Sequence, residues 1–202
     1  SDRIDVYLVA GGKFHNIDHA RVEILKLLAE QPRIKVLVGA DFSDIDAICA
    51  SDFLITYTCD VIPTPAETSR LVDFVNSGKK WFALHGTNSI LEFNGAKVEC
   101  PRLAPRFVQT LGSQFLAHPP IAPYRVTVSD PAHPLVKGIS DFEATDELYL
   151  SEFHGPVTTM LEMERLPMRS DAAHDPRRGS SSPLGAAPCR DGVNFSVFSK
   201  HA

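Results

Sequence analysis

Two rhythms of apolar and polar positions alternate through the first half of the chain. Ile4 to Ala10 is a short apolar run closed by Gly11 and Gly12. Ile34 to Val38, Phe53 to Tyr57 and Trp81 to Leu84 repeat that form, each stopping at Gly, Thr or His. Short apolar runs bounded by turn residues predict strands buried on both faces. Between the first two runs, Ile17, Ala20, Ile24, Leu27 and Leu28 recur at helical spacing, so one apolar face is expected on a helix that starts at Asp18, its expected N-cap, and is stopped by Pro32. Ser43 to Ala50 reads as a short helical turn. The next helix has the clearest signals: Thr64 and Glu67 match a capping box, Pro65 occupies the first helical position, Leu71, Phe74 and Val75 form its stripe, and Gly78 suits its C-terminal end. Strands alternating with helices in this way predict βαβ units, right-handed crossovers and a mostly parallel sheet in an α/β fold.

The pattern loosens after Ser89. A helix is expected within Leu103 to Leu111, and strands at Arg125 to Val128, Glu147 to Phe153 and Val157 to Leu161, with a rigid turn at Asp130 to Pro134. Met168 to Pro188 has little to bury and reads as a linker. Val193 to Phe198 then alternates like a strand. The organisation expected is an α/β domain over 1–165, followed by a poorly ordered linker and tail over 166–202.

Composition narrows the class. With 202 residues, 44% hydrophobic and 22% charged, the chain can bury a substantial core as a globular protein. A formal net charge of −5 and a pI near 5.9 argue against a broad nucleic-acid surface. No apolar run reaches the roughly 18 to 20 residues of a membrane span. No signal peptide is visible, and Cys49, Cys59, Cys100 and Cys189 show neither Cys-x-x-Cys nor zinc-finger spacing, so they read as reduced thiols of a cytoplasmic protein.

The candidate chemistry gathers where the strands end. Ligand crevices of open α/β sheets lie along the carboxyl edge. Strand one delivers Lys13 and His15 there, strand two Asp41, strand three Thr58 and Asp60, and strand four His85, Thr87 and Asn88. Gln114 and His118 follow the helix expected to return beside that edge. With neighbouring strands about 4.8 Å apart, these groups can face one crevice, where His and Asp with amides can bind a polar ligand, move protons or hold a divalent metal. No cofactor motif and no His-Glu-x-x-His spacing is present, so no residue is assigned as a metal ligand. His19, His133 and the pair Asp146-Glu147 have plainer readings, as solvated or turn-bracing side chains.

Read together and in order, Gly-Gly-Lys-Phe-His15, Tyr-Thr-Cys-Asp60, Trp-Phe-Ala-Leu-His85-Gly-Thr-Asn-Ser89, Leu-Gly-Ser-Gln-Phe-Leu-Ala-His118-Pro-Pro, Asp-Pro-Ala-His-Pro-Leu-Val-Lys-Gly138 and Asp-Phe-Glu-Ala-Thr-Asp-Glu-Leu-Tyr149 resemble the ThuA-like, or trehalose-utilisation, family over about residues 1–162. The resemblance implies a flavodoxin-like three-layer fold similar to class I glutamine amidotransferases, with a strand-turn-helix elbow. Those enzymes carry a Cys at the elbow, where this chain has His85. An imidazole cannot replace the thiolate, so glutaminase activity is not expected. The family's late Gly-containing strand and His have no counterpart after Leu161, which implies that the C-terminal strands are truncated. Residues 178–202 instead resemble the opening of glycogen-debranching, isoamylase-type enzymes.

The resemblance implies a role in bacterial carbohydrate metabolism, with trehalose, a related disaccharide or a keto-sugar as ligand. His85, His15 and Asp60 are then the candidate catalytic groups, and Thr87, Asn88, Gln114, His118 and Trp81 the candidate ligand contacts, with Phe14 or Tyr57 as further aromatic wall. The alternatives are a sugar-binding or regulatory domain without turnover, and a metal-dependent hydrolase built on the same histidines. An open sheet edge would also favour a homodimer.

Overall fold

A computed structural model describes residues 3–95, 97–165 and 195–199. Two compact units divide them. Among them, the first comprises residues 3–95, 97–116, 153–157 and 199, and the second residues 117–152, 158–165 and 195–198.

The first unit holds the parallel sheet that the apolar runs predict. Strands β1 (Ile4–Gly12), β2 (Ile34–Gly39), β3 (Phe53–Cys59) and β4 (Lys80–Leu84) pair in the order β2-β1-β3-β4, all parallel. The chain moves from β1 to one side and then returns past it to the other. That reversal puts the topological switch point between the carboxyl ends of β1 and β3. Helices α1 (Ile17–Ala29), α2 (Ile45–Ala50), α3 (Pro65–Asn76) and α4 (Pro105–Leu111) cover the two faces, with short strands β5 (Glu92–Asn94), β6 (Lys97–Glu99) and β7 (Ser113–Ala117) completing the connections.

Side chains of a strand alternate between faces, so the central strands feed two cores. Tyr7 and Val9 of β1 and Leu54 of β3 pack with Ile48, Leu71, Phe74, Val75, Phe107 and Val108 from α2, α3 and α4. Val6, Leu8, Ala10 and Ile55 face the other way, onto Ile17, Ile24, Leu25 and Leu28 of α1. This is the three-layer, flavodoxin-like α/β architecture expected from the sequence.

The α3 boundary is as predicted. The Thr64 side chain accepts from the Glu67 amide at 3.3 Å while the Glu67 carboxylate accepts from the Thr64 amide at 2.7 Å, and Gly78 takes φ +88° beyond the last turn. Two details of α1 differ. Asn16, not Asp18, is its N-cap, because its Oδ1 accepts from the His19 amide at 3.1 Å. Leu27 is 64% exposed, and Leu25 packs in its place, since the stripe facing the sheet runs through Ile17, Ile24, Leu25 and Leu28.

The second unit is antiparallel. Strands β8 (Ala122–Val128), β9 (Phe142–Asp146), β11 (Thr158–Arg165) and β12 (Phe195–Ser199) form a sheet ordered β12-β11-β8-β9, with β10 (Leu150–Phe153) preceding β11 in the chain. Its core gathers Tyr124, Val126 and Leu148 with Ala144, Leu161 and Met163. The strand β9 was not expected: it is mostly exposed, and only Ala144 packs on the core. The expected terminal strand is present as β12, whereas the linker expected over Met168 to Pro188 and the end of the chain lie outside the described residues. No helix among the described residues is long and apolar enough to cross a membrane. Cys49, Cys59 and Cys100 are thiols, and Cys189 lies outside the described residues.

Candidate functional site

The carboxyl ends of β1, β3 and β4 are held in register by Gly11↔Thr58, Gly12↔Cys59 and Tyr57↔Leu84. Gly12 has φ +106°, and a Cβ there would fall on the Cys59 carbonyl, so only glycine lets β1 leave the sheet so close to β3. Lys13 continues the contact through its amide, which donates to the Cys59 carbonyl at 3.1 Å. Phe14 follows at φ +67°, and its ring meets Phe93 at 5.2 Å between centroids. This turn delivers His15 over the end of β3.

From the other side, β4 stops at His85, which opens a single turn of 3-10 helix over His85–Asn88. His85 has φ +47°, a left-handed conformation uncommon for a residue with a side chain. Gly86 suits the position after it, because a Cβ there would stand 3.0 Å from the Thr58 carbonyl oxygen and 3.2 Å from Cys59 Cβ, a tight fit. A left-handed residue followed by a glycine is the elbow geometry that presents a side chain at the end of a sheet.

Three rings consequently meet at the β1/β3/β4 end. The imidazoles of His15 and His85 lie 4.4 Å apart, edge to face at 89°. Tyr57, near the end of the strand between them, stacks on His85 at 5.7 Å and 16°, and meets His15 edge-on at 6.2 Å. His15 is half-buried and His85 exposed, so the cluster is open to solvent. Tyr57 was legible in the sequence only as an aromatic wall. Its role at the centre of the cluster follows from the β1-β3-β4 order, which the chain order does not reveal.

Asp60 supports this cluster. It too is left-handed, at φ +57°. Its amide donates to the Ser89 carbonyl at 3.1 Å, its Oδ1 accepts from the Leu91 amide at 3.0 Å, and its Oδ2 accepts from Lys13 Nζ at 2.8 Å. One carboxylate therefore ties the loop after β1 to the segment after the elbow. The same hydrogen bond, ahead of the Coulomb attraction, holds the Lys13 ammonium above its usual pKa.

The other sequence candidates are placed differently. Thr87 is 2% exposed and donates inward, its Oγ1 lying 2.8 Å from the Leu84 carbonyl and 3.1 Å from Thr56 Oγ1. The Trp81 indole N–H donates to the same Thr56 hydroxyl at 3.0 Å, and its ring packs on Phe42 and Phe107 in the core. Asn88 Nδ2 donates to Ser113 Oγ at 2.9 Å, and Gln114, 2% exposed, donates to the Pro101 carbonyl at 2.9 Å. Asp41 accepts from the amide and hydroxyl of Ser43, bonds that lower its pKa. His118 belongs to the second unit, where it stacks on Tyr149 at 6.1 Å and lies 3.7 Å from Glu147. Thr58 Oγ1, Asn88 Oδ1 and Ser89 Oγ are buried with no hydrogen-bond partner among the described residues, an arrangement that an internal water would satisfy.

The arrangement offers two imidazoles, a phenol ring and an anchored Lys-Asp pair at a topological switch point. These groups can accept and donate hydrogen bonds to a polyhydroxylated ligand or exchange protons with it. Comparison with known proteins places the chain. The family model for ThuA, trehalose utilisation, matches residues 5–183, and so extends into the segment read as a linker. A ThuA-like protein from Bacteroides uniformis ATCC 8492 superposes with a TM-score of 0.62 at 19% identity, covering 97% of this chain and 75% of its own. A ThuA-like protein from Parabacteroides merdae ATCC 43184 gives 0.56 at 16% identity, with 80% and 68% covered. No curated protein matches the sequence.

Proposed function

Because this chain belongs to the ThuA family, whose description is trehalose utilisation, we propose that it binds a disaccharide of the trehalose type, or a keto-derivative of one, at the carboxyl ends of β1, β3 and β4. The observation that carries the reading is the cluster of His15, Tyr57 and His85, two imidazoles and an aromatic ring within 6.2 Å of one another. Sugar recognition combines an apolar ring face against C–H groups with side chains that both donate and accept hydrogen bonds to hydroxyls. Neutral histidine does both.

In this reading His85 and His15 contact the ligand and are placed to exchange protons with its hydroxyl or carbonyl oxygens. Asp60 acts as a positioning residue, since both its carboxylate oxygens are already engaged by Lys13 and Leu91. Glutamine hydrolysis is not proposed: the elbow position carries an imidazole rather than the thiolate that attacks an amide.

Thermal-shift and calorimetric titrations with trehalose, maltose, sucrose and their 3-keto forms test the reading. Saturable binding of at least one sugar, abolished in His85→Ala at preserved stability, is the expected result. Absence of binding by every sugar in that panel, with the protein folded, would overturn it.

A further inference from the structure

We propose that His15 and His85 form the two-histidine half of a site for a divalent transition-metal ion of the zinc type. This goes beyond the sugar reading and does not depend on it. Each imidazole offers a ring nitrogen, and the two nitrogens lie within 4.8 Å of each other. Two nitrogens bound to one tetrahedral ion at the usual bond lengths stand about 3.3 Å apart. Their ring centres are then about 5 Å apart, against the 4.4 Å between centroids here. The spacing is close to that geometry, and the edge-to-face rings would turn about their side-chain bonds to bring both nitrogens onto one ion.

The backbone is the reason for singling out this pair. Both histidines sit at stiff turns: His15 follows left-handed Phe14, and His85 is itself left-handed before Gly86, whose missing Cβ leaves room for the Thr58 carbonyl. The Lys13–Asp60 ion pair at 2.8 Å and the Asp60 bonds to Ser89 and Leu91 fix the two turns to each other. Tyr57 stacks on the His85 ring, an aromatic wall on one side of the pair. A ligand pair held in this way loses little freedom on binding an ion, which favours affinity. Imidazole donors select zinc, copper, nickel or iron over magnesium or calcium, which prefer oxygen. Two protein nitrogens make up part of a four-coordinate set, and the other positions are filled by further donors.

The test is titration of the metal-stripped full chain with zinc chloride by calorimetry, together with cobalt(II) absorption in the visible. Saturable one-to-one zinc binding is expected, with cobalt bands typical of nitrogen ligation. His15→Ala and His85→Ala should each weaken zinc by at least about 10-fold, and His19→Ala and His133→Ala should leave it unchanged. His15→Gln, with circular dichroism as a check on folding, guards against misreading a collapsed variant. Zinc binding that is absent, or unaffected in the two site variants, would overturn the proposal. Sugar titrations run in chelator separate the two readings: sugar binding without zinc binding sinks only the metal site, and zinc binding without any sugar response sinks only the sugar reading.

Discussion

The Asp60 carboxylate and the Lys13 ammonium meet at 2.8 Å, and through this pair the loop after β1 is fastened to the end of β3. Since Oδ1 of the same carboxylate takes the Leu91 amide, the two turns that carry His15 and His85 share one anchor. The consequence is that the cluster of rings is prepared by bonds outside it.

Asp60→Asn should therefore weaken ligand binding without touching the ligand. The amide keeps one acceptor and loses the charge that holds Lys13. The expected outcome is lower sugar affinity for the variant, with the turn after β1 that carries Phe14 more readily cleaved in limited proteolysis. Unchanged affinity in calorimetry would show that the pair is dispensable.

The left-handed turn at His85 makes a separate prediction. Asn tolerates φ near +47°, whereas a β-branched side chain does not. His85→Asn should remain within about 1 kcal/mol of the parent, and His85→Val should lose about 1–3 kcal/mol more. Urea unfolding of the two variants measures the difference, and both should fail to bind sugar.

Gly12 and Gly78 offer a matched pair of backbone tests. Both have positive φ, but a Cβ at Gly78 meets nothing within 4 Å, whereas one at Gly12 meets the Cys59 carbonyl. Gly78→Ala should cost about 1–2 kcal/mol, from conformation alone. Gly12→Ala should cost clearly more and displace His15, read as a larger drop in the urea midpoint together with lost sugar binding.

Tyr7 supplies a pH dependence. It is 2% exposed, and its hydroxyl donates to Asp44 at 3.1 Å. Burial first, and the Asp44 hydrogen bond second, push its pKa from 10.0 up to about 12. Below pH 10 both folded and unfolded chains keep the proton, and the contribution is complete. Between pH 10 and 12 the unfolded chain releases it first, so stability falls by roughly 3 kcal/mol as pH rises through the folded value. Tyr7→Phe should be less stable at neutral pH by about 1–3 kcal/mol, yet lose less stability over that alkaline window. Parallel urea titrations at pH 8, 10 and 11.5 check the sign.

Trp81 gives the last prediction. Its ring lies among Phe42 and Phe107 on the α3/α4 side, whereas His15 reaches the β3 end from the α1 side of β1. Trp81→Phe should keep sugar affinity within about 2-fold while lowering stability by about 1–2 kcal/mol through lost packing and the lost bond to Thr56. A larger loss of affinity would place the ligand on the other face of the sheet.

The fold of the first unit was legible because its signals are local. An apolar run bounded by Gly, or a Thr-Pro-x-Glu cap, acts within a few residues, and the structure keeps the β1, β2, β3, β4 and α3 read from them. The second unit was less legible: β9 is mostly exposed, with only Ala144 in the core, and is held by its pairing with β8. Its strand character comes from a neighbour, not from its own pattern.

By itself the sequence determined that a parallel α/β sheet forms and that polar groups crowd its carboxyl edge. It also showed that His85 stands at the turn where the fourth strand ends. Only the tertiary structure decided which of those groups meet. Strand order put β3 between β1 and β4, so His15 and His85 close over Tyr57, while the alternation of side chains along β4 turned Trp81, and the 3-10 turn turned Thr87, inward to Thr56. Periodicity along a chain is set by local geometry, but the company a side chain keeps is set by register and packing between strands distant in sequence.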